Sequence, residues 1–218
     1  MTSFKDVNII GLTGMSGAGK TTAATAFERF GLDVIDCDKV ARAVITRSPC
    51  ADEVRNRFPE IFTDGELNRK IAAKLLFSDP LKLEQYQKTV FPYVVHEIVN
   101  LIKLSYENGK FSVILDAPTL FQSGVDDFCG KIIAVVADTP VCVKRIIERD
   151  GISEEEVLMR LDNQPNADFF RKNADLIIEN NGDINEFRQK IDDSYTHISD
   201  NADSGGYTTC CERGTKPV

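Results

Sequence analysis

Residues Gly14–Thr21 read GMSGAGKT and match the phosphate-binding pattern G-x-x-x-x-G-K-[ST]. Glycine lets successive backbone N–H groups surround a phosphate, because side chains would block that approach. Before the loop, Val7–Thr13 (VNIIGLT) is a β-branched run that predicts a buried strand. After the loop, Thr22–Phe30 has the apolar spacing of a helix, which Gly31 ends. A loop between a strand and a helix is the setting in which this motif binds phosphate, since the helix N-terminus is electropositive.

The loop therefore predicts a nucleoside triphosphate site, the alternative being a glycine-rich turn without a ligand. Gly14, Gly17 and Gly19 would form the cradle, Lys20 would reach the β- and γ-phosphates, and the Thr21 hydroxyl would bind Mg²⁺. The motif alone does not define the reaction. No guanine-reading NKxD occurs, and the chain is short for an ATPase motor. A small-molecule kinase is favoured.

Short apolar runs alternate with helical segments along the chain, which predicts an α/β fold with a parallel sheet. Four further strands are expected after the first, at Val34 and Ile35, Phe111–Asp116, Lys131–Ala137 and Ala174–Ile178. Several of these segments are almost wholly apolar, which is typical of strands that are covered on both faces of the sheet. We expect a three-layer α/β/α P-loop fold with a five-stranded parallel sheet.

A single domain is expected over residues 1–195, followed by a flexible tail over 196–218, where periodicity is lost. From Asp38 to about Tyr106 the chain is helical in character, with no convincing strand. An apolar stripe begins at Phe91, and Pro92 is expected in the first turn of that helix, where its missing N–H is harmless. We therefore expect a helical insertion at about residues 39–107.

Three aspartates follow predicted strands, at the sheet edge where ligands of such folds bind. Asp36 and Asp38 share a face if the segment is extended, and close carboxylates raise one another's pKa, which suits proton acceptance. Asp38 is the candidate base, although it could instead cap the following helix. Asp116 could hold a magnesium-bound water or form a turn before a proline. Arg42 could pair with a substrate phosphate or lie on the surface.

Cations cluster between residues of about 140 and 172, around a predicted helix break at Gly151. Arg145 and Arg149 share a helix face, and further cations follow at Arg160, Arg171 and Lys172. Two helices joined at such a break can close over phosphates as a lid. The alternative is a solvated face, because acidic residues intervene.

Composition excludes several other classes of protein. The 218 residues carry a formal net charge of −8, which argues against binding to nucleic acid or an anionic membrane surface. No apolar run has the length of a membrane span, and no signal peptide is recognisable. The six cysteines form no CxxC pair, and they predict reduced core residues of a cytoplasmic protein. Cys37 reads as a packing residue, and His96 and His197 suggest no role.

Five segments, in order, resemble the dephospho-CoA kinase family. They are IIGLTGMSGAGKTT (Ile9–Thr22), FGLDVIDCDKVAR (Phe30–Arg42), ILDAPTLFQSG (Ile114–Gly124), RIIERDGISEEEVLMRLDNQ (Arg145–Gln164) and KNADLIIENNG (Lys172–Gly182). The resemblance implies transfer of the γ-phosphate of ATP to the 3′-hydroxyl of dephospho-CoA, the last step of coenzyme A synthesis. It also implies a helical acceptor-binding part and a lid.

The resemblance assigns roles to individual residues. It implies that Asp38 takes the hydroxyl proton, that Arg149 contacts phosphate, and that Asp36 and Arg42 line the acceptor side. We also expect Asp116 among the acceptor-binding residues. The residues expected to bind ATP are Gly14, Gly17, Ala18, Gly19, Lys20, Thr21 and Thr22.

The chain departs from the family pattern at three places. GGIGSGK is GMSGAGK here, PLLFE is PTLFQ (Pro118–Gln122), and HP is Phe91-Pro92. The last two bear on acceptor contacts. Two other functions stay open at this point, namely another P-loop small-molecule kinase and a nucleotide-binding regulatory protein without transfer activity.

Overall fold

A computed structural model describes residues 7–203 of the chain. Five strands form one parallel sheet in the order β2-β5-β1-β6-β7. They are β1 (Asn8–Gly14), β2 (Asp33–Asp36), β5 (Ser112–Asp116), β6 (Lys131–Val136) and β7 (Leu176–Glu179). All five predicted strands and the α/β class are thereby confirmed.

Strand β1 lies at the centre of the sheet. It pairs with β5 on one side, with Ile10 opposite Ile114, and with β6 on the other, with Leu12 opposite Ile133. These four side chains are at most 1% exposed. The buried centre of the sheet thus holds the strand that leads into the phosphate-binding loop.

The chain divides into two compact units. One contains the chain up to Ile35 and from Ser105 onward, and the other is Asp36–Leu104. The described part of the first unit contains the α-helices α1 (Lys20–Arg29), α6 (Thr139–Asp150), α7 (Glu154–Asp162), α8 (Ala167–Asn173) and α9 (Ile184–Asp203). Within the stretch from residue 7 to 203, no helix has the length and apolarity needed to cross a bilayer.

The second unit is mainly helical, as expected. Its helices are α2 (Cys37–Val44), α3 (Cys50–Arg57), α4 (Arg69–Ser78) and α5 (Pro80–Glu107). The expectation that it has no strand is wrong in one detail, because β3 (Phe62–Thr63) and β4 (Glu66–Leu67) form a short antiparallel pair. Asp64, at φ 51°, and Gly65, at φ 82°, make the tight turn between them.

We expected Pro92 in the first turn of a helix, but it lies inside α5. A proline there removes one backbone hydrogen bond. Pro92 is exposed, as is Lys88, whose carbonyl would accept that bond, so water can replace it. Val90 and Val94 are each 8% exposed, and their burial on either side of the proline keeps the helix continuous.

The expected tail beginning at residue 196 is wrong at its start, because α9 continues to Asp203. Phe187, Ile191, Ser194 and Ile198 follow one another at helical spacing, and all are buried. Tyr195 also stacks on Phe30, with ring centroids 4.4 Å apart. The remainder of the expected tail, 204–218, lies outside the described residues.

Candidate active site

The phosphate-binding loop connects the end of β1 at Gly14 to the start of α1 at Lys20. Gly17 and Gly19 have φ values of +80° and +107°, a left-handed conformation that side chains disfavour. Gly19 is also the N-cap residue of α1. The loop therefore delivers Lys20 and Thr21 onto the first turn of a helix, with the electropositive end of that helix facing the loop.

Each glycine of the loop also lies against a different element. A Cβ added to Gly14 would lie 2.2 Å from the Val135 carbonyl oxygen of β6, and one added to Gly17 would lie 2.8 Å from the Cys142 carbonyl oxygen of α6. A Cβ on Gly19 would lie 2.6 Å from Nδ2 of Asn180. The Met15 N–H donates to the Val135 carbonyl at 3.1 Å. The loop is thus packed closely from outside, which fixes its shape.

Lys20 forms an ion pair with Asp116 at the end of β5. The lysine and aspartate side chains are only 15% and 12% exposed, so water screens this pair poorly. The sequence suggested both residues but not their contact, since 96 positions separate them. The pairing of β5 with β1 brings them together.

The hydroxyl of Thr21 and the carboxylate of Asp116 are hard oxygen donors of the kind that Mg²⁺ prefers. Among the described residues there is no cluster of three or more His, Cys, Asp or Glu that could enclose a metal ion. A magnesium ion held by one or two protein oxygens and by substrate phosphates fits such a donor set.

The two candidate carboxylates of the second unit do not share an extended segment, contrary to our expectation. Asp36 is the N-cap of α2, and its side chain accepts the Lys39 N–H at 2.8 Å. Asp38 lies within the first turn of the helix and is half-buried. The chain turns helical after Asp36, so the two-residue periodicity of a strand no longer applies. Asp36 is the capping residue, and the alternative cap function of Asp38 is wrong.

The pKa of Asp36 is lowered, whereas paired carboxylates were expected to raise it. Partial burial acts to raise it, but hydrogen bonds from the backbone and the ammonium of Lys39 outweigh burial. The charges of Lys39 and Arg42 lower the pKa further. Arg42 is in the last turn of α2 and exposed. Asp36 is therefore a carboxylate stabilised in its charged form, which makes it a weak proton acceptor.

We expect Asp36→Ala to lower the free energy of unfolding by about 1 kcal/mol at neutral pH, because the helix loses its N-cap. Asp36→Asn should retain most of this stability, since asparagine caps equally well. The lowered pKa means that the ionised group stabilises the fold above its unfolded pKa, and that this contribution disappears as pH falls through the folded pKa. Urea unfolding from neutral to acidic pH measures the effect. A constant difference between wild type and Asp36→Ala would contradict it.

Two arginines of the predicted lid, Arg149 and Arg160, share one carboxylate. Arg149 donates to both oxygens of Asp150, at 2.6 and 2.8 Å, and Arg160 donates to the same carboxylate at 3.0 Å. Hydrogen bonding with Arg149 is the main cause of the lowered pKa of Asp150. Gly151 ends α6 at φ 67°, so the predicted break is confirmed, and a capping box of Ser153 and Glu156 starts α7.

The other predicted cations have different partners. Arg171 pairs with Asp168 and Glu179, at 3.2 and 2.9 Å. Arg145 donates to Asn180, a residue to which the sequence analysis gave no role. Asn180 lies in the segment Lys172–Gly182 that resembles the family, but only its contacts show what its side chain does.

The cysteines and histidines agree with the predictions where they are described. Cys37, Cys50, Cys129 and Cys142 are buried thiols that form no disulfide. Burial raises the pKa of the Cys50 and Cys142 thiols, which makes both inert. His96 and His197 are exposed. Cys210 and Cys211 lie outside the described residues.

Comparison with known proteins gives consistent matches. The family model described as Dephospho-CoA kinase matches residues 8–186. The Dephospho-CoA kinase of Clostridium tetani is 34% identical over 194 residues, which cover 87% of this chain and 86% of that protein. The crystal structure of TT1252 from Thermus thermophilus has a TM-score of 0.79 at 31% identity and covers 88% of this chain and 97% of that one. Dephospho-CoA kinase from Campylobacter jejuni has a TM-score of 0.67 at 25% identity, with 89% and 98% covered.

The sheet, its phosphate-binding loop and these likenesses place the chain among the P-loop kinases. More narrowly, the chain belongs to the dephospho-CoA kinase family. The resemblance found in the sequence is thereby confirmed.

Proposed function

We propose that this protein transfers the γ-phosphate of ATP to the 3′-hydroxyl of dephospho-CoA, the last step of coenzyme A synthesis, in the cytoplasm. The observation that carries the proposal is the glycine loop that delivers Lys20 and Thr21 to the start of α1, in a chain of this family. The net charge of −8 argues against a nucleic acid or an anionic membrane surface as partner, and it is compatible with a small anionic substrate held by a few local cations.

In this proposal the loop and first helical turn hold ATP. The contributing residues are Gly14, Gly17, Ala18, Gly19, Lys20, Thr21 and Thr22. Backbone N–H groups surround the phosphates, and the Lys20 ammonium stabilises negative charge that moves toward the leaving oxygen. Thr21 would hold Mg²⁺, which neutralises phosphate charge when bound. Asp116, which holds the Lys20 ammonium, keeps that group in place until the nucleotide binds.

The acceptor is proposed to bind through the second unit, residues of about 39–107, together with its first helix. Asp38 accepts the proton of the 3′-hydroxyl as that oxygen attacks the γ-phosphorus. This role of Asp38 is supported by its half-buried carboxylate on the first turn of α2. Asp36, and not Asp38, caps that helix. Asp36, Arg42 and Asp116 are the proposed acceptor-side contacts, and Asp36 also fixes the start of α2.

Residues of about 140–172 are proposed as a lid, in which Arg149 contacts phosphate on closure. The Asp150 carboxylate binds the guanidinium groups of both Arg149 and Arg160. Such a contact forms mainly in the closed complex, so it favours the transition state over the ground state.

We therefore expect Arg149→Ala to lower kcat much more than it weakens ATP binding to the open form. Arg160→Ala, which removes the other partner of Asp150, is the matched control and should lower kcat less. Steady-state kinetics and calorimetric ATP titration separate the two quantities. Equal losses of ATP affinity and kcat/KM, with kcat unchanged, would mean that Arg149 contributes only uniform binding.

A coupled assay of ADP release, with and without dephospho-CoA, tests the proposed reaction. ADP release that requires dephospho-CoA supports it. ADP release that requires a different small alcohol would indicate another P-loop kinase. ATP binding without acceptor-dependent turnover would instead indicate a regulatory protein.

A further inference from the structure

Asn180 lies directly after β7 and is buried, with 6% of its surface exposed. Its Nδ2 donates a hydrogen bond of 2.7 Å to the carbonyl oxygen of Ala18, in the phosphate-binding loop. Its own N–H donates to the Val136 carbonyl of β6 at 2.9 Å. The backbone of Asn180 is therefore bonded to the sheet, and its side chain is bonded to a loop that lies 162 positions earlier in the sequence.

Arg145 of α6 determines which way the Asn180 amide points. Its Nη1 donates to the Asn180 backbone carbonyl at 3.0 Å, and its Nη2 donates to Oδ1 at 3.3 Å. Arginine only donates hydrogen bonds, so the amide oxygen faces Arg145 and the NH₂ group faces Ala18. The amide thus has a single orientation in which both of its ends are bonded.

The bond to Ala18 also orients the N–H group of Gly19. The peptide between Ala18 and Gly19 is planar and trans, so its C=O and N–H point in opposite directions. When Asn180 holds the carbonyl, the Gly19 N–H is directed away from Asn180. Glycine at φ +107° has many accessible conformations, so this peptide needs an external contact to keep one orientation.

We propose that Asn180 is a positioning residue for ATP binding, which fixes the Ala18–Gly19 peptide so that the Gly19 N–H faces the phosphates, and that Arg145 fixes Asn180. The inference rests on the proposed ATP site at the loop. It gives Arg145 a function different from that of a lid cation, because two of its N–H groups are bonded to Asn180.

The test compares Asn180→Leu and Asn180→Asp with Asn181→Leu. Leucine has a similar size and no hydrogen-bonding group, whereas aspartate has the same shape and replaces the donor with an oxygen. Asn181 is the matched control, since its Oδ1 also accepts a backbone N–H, at 2.8 Å, but from Asp138, which is outside the loop. Calorimetric ATP titration, kcat at saturating ATP and thermal melting are measured for each protein.

Both Asn180 variants should raise the Kd for ATP by about tenfold or more and lower kcat, because the Gly19 N–H is no longer held toward a charged phosphate. Asn181→Leu should leave the Kd for ATP within about twofold of wild type. If the melting temperature falls in Asn180→Leu while the Kd for ATP stays at the wild-type value, the role of Asn180 is merely structural and the proposal is overturned. If ATP binding is weakened in Asn180→Asp and not in Asn180→Leu, repulsion between the new carboxylate and the phosphates explains the loss, and the proposal is also overturned.

Arg145→Lys supplies a second test that does not depend on folding of the Asn180 variants. Lysine keeps the positive charge but lacks the planar fork that bonds both oxygens of Asn180. The Kd for ATP should rise severalfold although the charge is unchanged, and an unchanged Kd would contradict the proposal. A wild-type protein that binds no ATP would contradict the proposed function itself.

Discussion

Lys20→Ala should lower turnover by about 10²- to 10³-fold while the protein remains folded. The ammonium stabilises charge that develops in the transition state, and loss of one such donor in a site shielded from water has an effect of this size. The change also removes the ion-pair partner of Asp116, whose side chain is only 12% exposed. We therefore expect a lower free energy of unfolding in the same variant.

A double variant separates the two effects of Lys20. Lys20→Ala with Asp116→Asn removes the buried negative charge as well, so stability should be partly regained while turnover stays low. Lys144→Ala, which changes an exposed lysine on α6, is the control for loss of a positive charge. Recovery of turnover in the double variant would show that Lys20 acts only through the fold.

Asp38→Asn should lower kcat at least about a hundredfold, with ATP binding retained. Asparagine has the size of aspartate but cannot accept the ribose proton, and a positioned base contributes about 10²- to 10⁴-fold. The lower part of that range is expected, because phosphoryl transfer through a loose transition state depends less on a base. Turnover and the KM values for ATP and dephospho-CoA give the result.

Asp36→Asn is the matched comparison, two positions earlier on the chain. Asparagine can still accept the Lys39 N–H, so α2 keeps its cap. We expect a higher KM for the acceptor and a smaller change in kcat than in Asp38→Asn. If Asp36→Asn abolishes transfer while Asp38→Asn has nearly wild-type activity, the two roles are reversed.

Local sequence predicted most of the fold because each major signal in it is local. The strand before Gly14, the loop and α1 each have their own pattern, and the capping box of Ser153 and Glu156 is contained in four residues. The errors arose where a local signal was overridden. Pro92 marks a helix start by itself, but burial of Val90 and Val94 continues the helix through it. Polar residues after Thr196 concealed Ile198, which completes the buried stripe of α9.

The sequence indicated candidate residue types but little of the geometry in which the structure places them. It proposed Lys20, Asp116 and Arg149 as site residues without their contacts. The ion pair of Lys20 with Asp116 joins positions far apart in the chain, and such contacts leave no periodic signal. Asn180 was missed for the same reason, since 162 positions separate it from Ala18. Asp36, and not Asp38, is the capping residue because α2 begins at Cys37.

The position of α9 has a consequence for the synthesis of this protein. The helix packs on β7 and on α1, so the last described element supports the helix that begins with Lys20. The central strand β1 pairs with a strand that is synthesised about a hundred residues later, since Asn8 lies opposite Ser112. Until then β1 has no partner on that side. A nascent chain therefore exposes its phosphate-binding loop long before that loop is supported. We expect ribosome-bound chains that stop before residue 184 to be unable to hold nucleotide, and to depend on chaperones that cover unpaired strands.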